Sequence, residues 1–303
     1  TGNYNNAIGY KALYSNTTAS GNVANGYLAL NANTTATNGV AIGYQALKAN
    51  TTGDSNTAVG KEALLTNTTG YQNTALGTES LRSNSDGYRN TGVGFQSLYT
   101  NASGDNNTAV GYYALRDNTS GYDNAAVGFE AISNNTTGYS NAGVGYGVLY
   151  TNTTGYENAS LGYQSMYSNT EGFKNSAVGQ RALYSNTTGD LNTAVGWYSM
   201  YNNTTANENV AYGSQSLFSN TTGSLNNAIG VNALYSNTTG TQNTATGLGA
   251  LYDNTTGTKN TATGTYALTN NTTASYNSAF GNYCLRDNTT GANNTGVGQN
   301  ALN

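Results

Sequence analysis

The tripeptide Asn-x-Thr/Ser occurs 21 times in this 303-residue chain. It is the pattern here that specifies a covalent chemistry, because an exposed Asn in that setting is an acceptor for N-linked sugar. Fifteen copies share one column of a repeat: Asn16, Asn33, Asn50, Asn67, Asn101, Asn118, Asn135, Asn152, Asn186, Asn203, Asn220, Asn237, Asn254, Asn271 and Asn288. Asn84 and Asn169 stand in the same column without the Thr or Ser two residues on, and six sequons lie elsewhere, at Asn106, Asn134, Asn158, Asn202, Asn270 and Asn293. Two residues before the column an aromatic side chain accompanies an intact sequon at Tyr14, Tyr99, Tyr150, Tyr184, Tyr201, Phe218, Tyr235 and Tyr252, and Tyr167 precedes the bare Asn169. A ring so placed can stack on the apolar face of a first sugar while a Tyr hydroxyl stays wet. The sharp expectation is therefore that these asparagines point outward and carry covalent glycans, with Asn84 and Asn169 bare. The bland alternative makes them an inward ladder of side-chain amides, with the rings covering a neighbouring Leu. Side-chain direction at Asn186 and Asn169 separates the two readings.

Other chemistries are poorly served. With no His and a single Cys, an ordinary catalytic triad or a His/Cys metal cluster has no components, so no catalytic residue, metal ligand or cofactor is expected. Asp54, Asp105 and Asp190 share one loop column and Asp117, Asp253 and Asp287 another. Neither set forms an unbroken acid ladder of the calcium-binding kind, so they read as solvated loop charges. Cys284 occupies a column of Ala and Ser and reads as a buried Ala substitute. No stretch follows the GxxxxGK[ST] phosphate-loop pattern. Net charge is −4 with only 8% charged residues and scattered Lys and Arg, which argues against a nucleic-acid or anionic-membrane partner. There is no 18-residue apolar run to span a membrane.

The element that must position the asparagines is a strict repeat. Gly recurs every 17 residues from Gly9 to Gly298, giving 18 coils. Four residues after it stands Leu, Ile or Met in every coil, and four before it stands Asn in 17 of 18, Gly39 being the exception. So exact a period means one supersecondary unit stacked on itself. The alternating triplet before the Gly, such as Thr57-Ala58-Val59 or Thr108-Ala109-Val110, predicts a short strand in parallel register with its neighbours. Val59, Val110, Val178 and Val195 are expected to face inward, as are Leu64, Leu115, Leu183 and Leu251. The repeat Gly ends the strand by taking φ > 0 or by sparing room for a Cβ. The limb after it stays open between a single helical turn and a tight two-sided bend, because its Ala and Leu are adjacent. The closing Asn-Thr-Thr-Gly has turn chemistry, with Asn and Gly suited to the left-handed region. The expected fold is thus an all-β parallel solenoid, a β-roll or β-helix, in one domain spanning residues 1–303, about 85 Å long at about 4.8 Å per coil.

The Asn-Thr-Ala-Val-Gly blocks at Asn56–Gly60, Asn107–Gly111 and Asn192–Gly196, with Val40-Ala41-Ile42-Gly43, resemble the head repeats of trimeric autotransporter adhesins. They are also similar to the Asn-Thr-Ala-x-Gly arrays of bacterial surface proteins and viral tail fibres. The resemblance covers the whole chain on about five positions per coil, though this coil is longer than the adhesin repeat. It implies an extracellular stalk or head on a cell or virion surface, assembled from copies of itself as a homotrimer. The chain opens at Thr1-Gly2-Asn3 and neither end reads as a cap, so an excerpt of a longer fibre, or a unit stacking end to end, is expected. The expected function is a non-catalytic, glycan-bearing fibre, stalk or adhesin segment. A rival function is binding of ice or polysaccharide by the Thr and Asn rows.

Overall fold

The computed structural model describes residues 2–302. These form an all-β parallel β-solenoid with a 17-residue repeat, one three-residue strand per coil, in two compact units, residues 1–154 and 155–303. The first unit holds nine strands from Asn6–Ile8 to Ala142–Val144, and the second nine from Ala159–Leu161 to Thr295–Val297. Within each unit every strand pairs in parallel with the equivalent residues one coil away, as in Thr91↔Thr108 and Val93↔Val110, or Thr193↔Val210 and Val195↔Tyr212. A chain that returns to the same place after each coil generates only parallel neighbours.

The strand faces the opposite way from the expectation. Its middle residue is buried and its two flanking residues point out: Ala109 and Ala177 are inaccessible, whereas Val110 is 37% and Val178 42% exposed, with Val59 and Val195 half-buried. The reason is the width of the coil. A Cβ added to Gly143, in the middle-residue column, would lie 2.8 Å from Val148 Cγ2 and 2.9 Å from Ile132 Cγ1. The interior thus has room for only a small side chain from the strand, Ala in most coils and Ser at Ser160, and Val is left to the outside.

The space is filled from the other limb, where the Leu column is buried as expected. Leu64, Leu115, Leu183 and Leu251 are fully inaccessible, and so are the Ala or Ser residues just before most of them, including Ala63 and Ala182. Two adjacent inward side chains suit neither a helix nor a strand. The backbone achieves this by entering the left-handed region twice per coil, two and four residues after the Gly, as at Glu62 (φ 55°) and Leu64 (φ 51°). A bulky residue there costs about 1–2 kcal/mol, and the stack offsets it with hydrogen bonds. Glu62 N–H donates to Tyr44 C=O in one neighbouring coil (2.8 Å) and Leu64 N–H to Ser80 C=O in the other (3.1 Å). Of the two open readings of the second limb, the helical turn is excluded and the tight bend is found, hydrogen-bonded to the coils on either side.

Glycine has two distinct uses. The repeat Gly does both things asked of it: Gly60 has φ 141°, and a Cβ there would come within 2.4 Å of the Gly77 oxygen. The turn Gly needs no left-handed backbone. A Cβ at Gly70 would press on Asn67 Oδ1 and Gly87 O, yet the coils adjust to one at Ala19, Ala36, Ala206 and Ala274 in the same column, and the turn asparagines are likewise absent from the left-handed region. The third left-handed position falls instead five residues before the repeat Gly, at Ser55, Gln72 and Arg89.

Candidate functional site

The turn asparagines point inward. Asn186 and Asn169 are both fully inaccessible, and Asn186 Nδ2 donates to Asn169 Oδ1 (2.8 Å) and to Gly189 C=O (2.9 Å), while Asn203 Nδ2 donates to Asn186 Oδ1 (2.9 Å). The same pair of bonds recurs coil by coil in the first unit, at Asn84, Asn101, Asn118 and Asn135. Asn33, Asn50, Asn67, Asn152, Asn220, Asn237, Asn254 and Asn271 are buried too, while the half-exposed Asn16 and Asn288 still donate to the carbonyls of Ala19 and Gly291. The expected outward direction is thus corrected: along the ladder one amide proton goes to the Asn of the neighbouring coil and the other to the carbonyl three residues on, as at Asn84, Asn101, Asn118, Asn135 and Asn186. An N-linked sugar would replace one of these protons where the neighbouring amide lies. The signal was in the sequence, since Asn84 and Asn169 keep the amide after losing the sequon.

The second Asn column, four before the repeat Gly, forms the expected inward ladder. Asn73 N–H donates to Asn56 Oδ1 (2.9 Å), and Asn56 Nδ2 donates to Gly70 C=O (2.7 Å). Asn192 and Asn243 are equally buried and repeat the pattern. Two interior amide rows therefore flank the turns, the second interrupted at Gly39, and they satisfy backbone groups that a 17-residue coil cannot pair by strands alone.

The eight rings proposed to stack on sugars meet other partners. In the second unit they stack on one another, Tyr184 on Tyr201 at 5.1 Å, Phe218 on Tyr235 at 5.1 Å and Tyr235 on Tyr252 at 5.0 Å between centroids, with planes within 9° of parallel. The ring faces a sugar would use inside this row are occupied by neighbouring rings. In the first unit Tyr99 lies under Arg82 and the exposed Tyr14 under Lys11, while Tyr150 is half-buried.

The carboxylates of the loop column have a structural task beyond solvation. Asp54, Asp105 and Asp190 each accept the backbone N–H of the coil before, from Thr37, Tyr88 and Phe173. Asn207 and Ser275 do the same for Asp190 and Thr258. Burial raises the Asp190 carboxyl above the ordinary carboxylate value, against the lowering effect of the Phe173 N–H. In the other column Asp117 and Asp287 pair with the adjacent Arg116 and Arg286, and the Arg286 hydrogen bond holds Asp287 below its ordinary value. Among the described residues no three His, Cys, Asp or Glu side chains gather closely enough to hold a metal ion, and no helix is long and apolar enough to cross a membrane. Cys284 is buried in the Ala/Ser column, as expected.

Two surfaces remain outward. One is the strand face, where the residues before and after the repeat Gly are exposed apolar side chains in most coils. The other is the turn, where the second Thr of Asn-Thr-Thr is exposed in an unbroken row from Thr188 through Thr205, Thr222, Thr239, Thr256 and Thr273. No protein-family model and no curated protein matches this chain.

Proposed function

We propose that this chain is a non-catalytic structural segment of an extracellular fibre, stalk or adhesin on a cell or virion surface. The observation that carries this reading is the pair of interior amide ladders. They commit the most abundant side chain of the protein to bonding coil to coil and leave the outside free to vary. Such a chain resists local opening without disulfides, metals or a wide hydrophobic core. The resemblance to autotransporter head repeats and viral tail fibres supports the same placement, and copies stacking end to end, or as a homotrimer, belong to it. Sugars in this reading sit on outward sequons, Asn106 and Asn293 being exposed. Immunogold labelling of the source cells or particles with antibody to this chain tests it: label on surface appendages is expected, and label confined to the cell interior overturns it.

The exposed Thr row favours a second reading, binding of ice or a crystalline polysaccharide. One hydroxyl per coil at about 4.8 Å is a regular template. The adjacent Thr row is already spent, since Thr221 Oγ1 donates to Thr238 C=O (3.1 Å). Thermal hysteresis and cellulose or chitin pull-down measure this reading directly.

A further inference from the structure

We propose that the outward strand face of the first unit is an interface that pairs with the same face of a second copy. The strongest stretch is Val110, Tyr112, Val127, Phe129, Val144 and Tyr146, each between 37% and 45% exposed. Contiguous apolar surface of this extent on a soluble chain marks an interaction site. Across all 18 coils, the three outward columns that flank the buried strand residue and follow the repeat Gly contain one charge, Lys61.

The chemistry of the face selects its partner. Tyr112 stacks on Phe129 at 5.2 Å and Phe129 on Tyr146 at 5.0 Å, with planes 5° apart in both pairs. The ring faces are therefore turned toward neighbouring coils, and ring edges and Val methyls point outward. A sugar ring, which needs an open aromatic face, has none within this row. What fits is another apolar surface ridged at the same coil spacing, so that ridges of one settle between ridges of the other, as in a dry interface between paired sheets. A second copy of this chain has that spacing by construction.

The area is sufficient. Four residue steps across and nine coils along, with Lys61, Asn6, Asn25, Thr78 and the row from Thr57 to Thr108 included as its polar part, give a face of about 13 by 43 Å, roughly 560 Å² on each partner and about 1,100 Å² together, above the ~1,000 Å² that a specific interface needs. With a net charge of −4 spread over 303 residues, repulsion between copies is small. This inference replaces the homotrimer of the fibre reading with lateral pairing of two copies; a dimer that fails to form leaves the surface placement, tested by labelling, untouched.

Sedimentation velocity of the full chain at micromolar concentration tests it. The expected result is a mass of two chains, reduced to one by Val127→Lys with Phe129→Lys at unchanged far-ultraviolet circular dichroism, and retained in Thr137→Lys on the exposed turn. Should the lysine variant fail to fold, Val110→Thr with Val127→Thr, which conserves shape, is expected to weaken dimerisation by about tenfold. A wild-type chain of one-chain or three-chain mass, or a dimer whose dissociation is unmoved by both variants, overturns the proposal.

Discussion

The turn and the strand face of each coil invert the usual distribution of polarity. The turn buries its amides, Asn118 and Asn135 among them, while the strand turns Val110 and Val127 to the outside. Polarity therefore does not decide what goes inside a coil this narrow; size and hydrogen-bonding capacity do. An Asn can satisfy a neighbouring carbonyl and a neighbouring amide at once, and leaving either unmet inside the coil is costly. A Val on the strand would need interior width that the Leu column already occupies. The outside is then left to residues whose identity the fold barely constrains.

That contrast can be broken most forcefully in the turn. Asn118→Ala leaves Asn101 Oδ1 and one proton of Asn135 Nδ2 without their partners, and the Gly121 carbonyl with Asn107 Nδ2 alone of its two amide donors. It is expected to cost about 3–6 kcal/mol in denaturant unfolding of the chain, far more than an exposed sequon could. Leu115→Ala, which empties a fully buried position, is expected to cost about 2–5 kcal/mol in the same measurement.

A sharper probe of interior width is Gly143→Ala. The new methyl meets Val148 and Ile132, and the expected loss is about 1–3 kcal/mol. Val148→Ala in the same chain should recover most of it, because the Val is the wide residue opposite. Non-recovery in that double-mutant cycle would mean the strand and the second limb do not share one core layer.

On the outside the effects should be small. Val127→Thr is expected to change unfolding free energy by no more than about 0.5 kcal/mol when measured on dissociated chains. A large loss there would return the strand Val to the interior.

The smallest effect is a pH dependence at Asp190. Its carboxyl is raised in the folded chain, chiefly by burial, so the folded state holds the proton more tightly than the unfolded state. Its contribution is fully present below the unfolded value near 3.8 and falls as pH rises through the raised folded value. Asp190→Asn, which keeps an acceptor for the Phe173 N–H as Asn207 does for Asp190, should flatten that part of the stability profile.

The sequence by itself determined the period, the parallel stack, the buried Leu column and the inward amides before the repeat Gly. Each follows from a residue type that recurs without exception or nearly so, and an unbroken column in a repeat reports a position that every coil needs. It pointed the wrong way on two things that only the tertiary structure settled. One was which strand residues face in, because alternation of Ala with Val is equally legible from either side until the opposite wall is placed. The other was the direction of the turn asparagines, because Asn-Thr-Thr serves a sugar or a ladder with the same letters. Asn84 and Asn169 hinted at the ladder. Its proof is the next coil's amide lying within hydrogen-bond distance, a contact between residues 17 apart that no local pattern encodes.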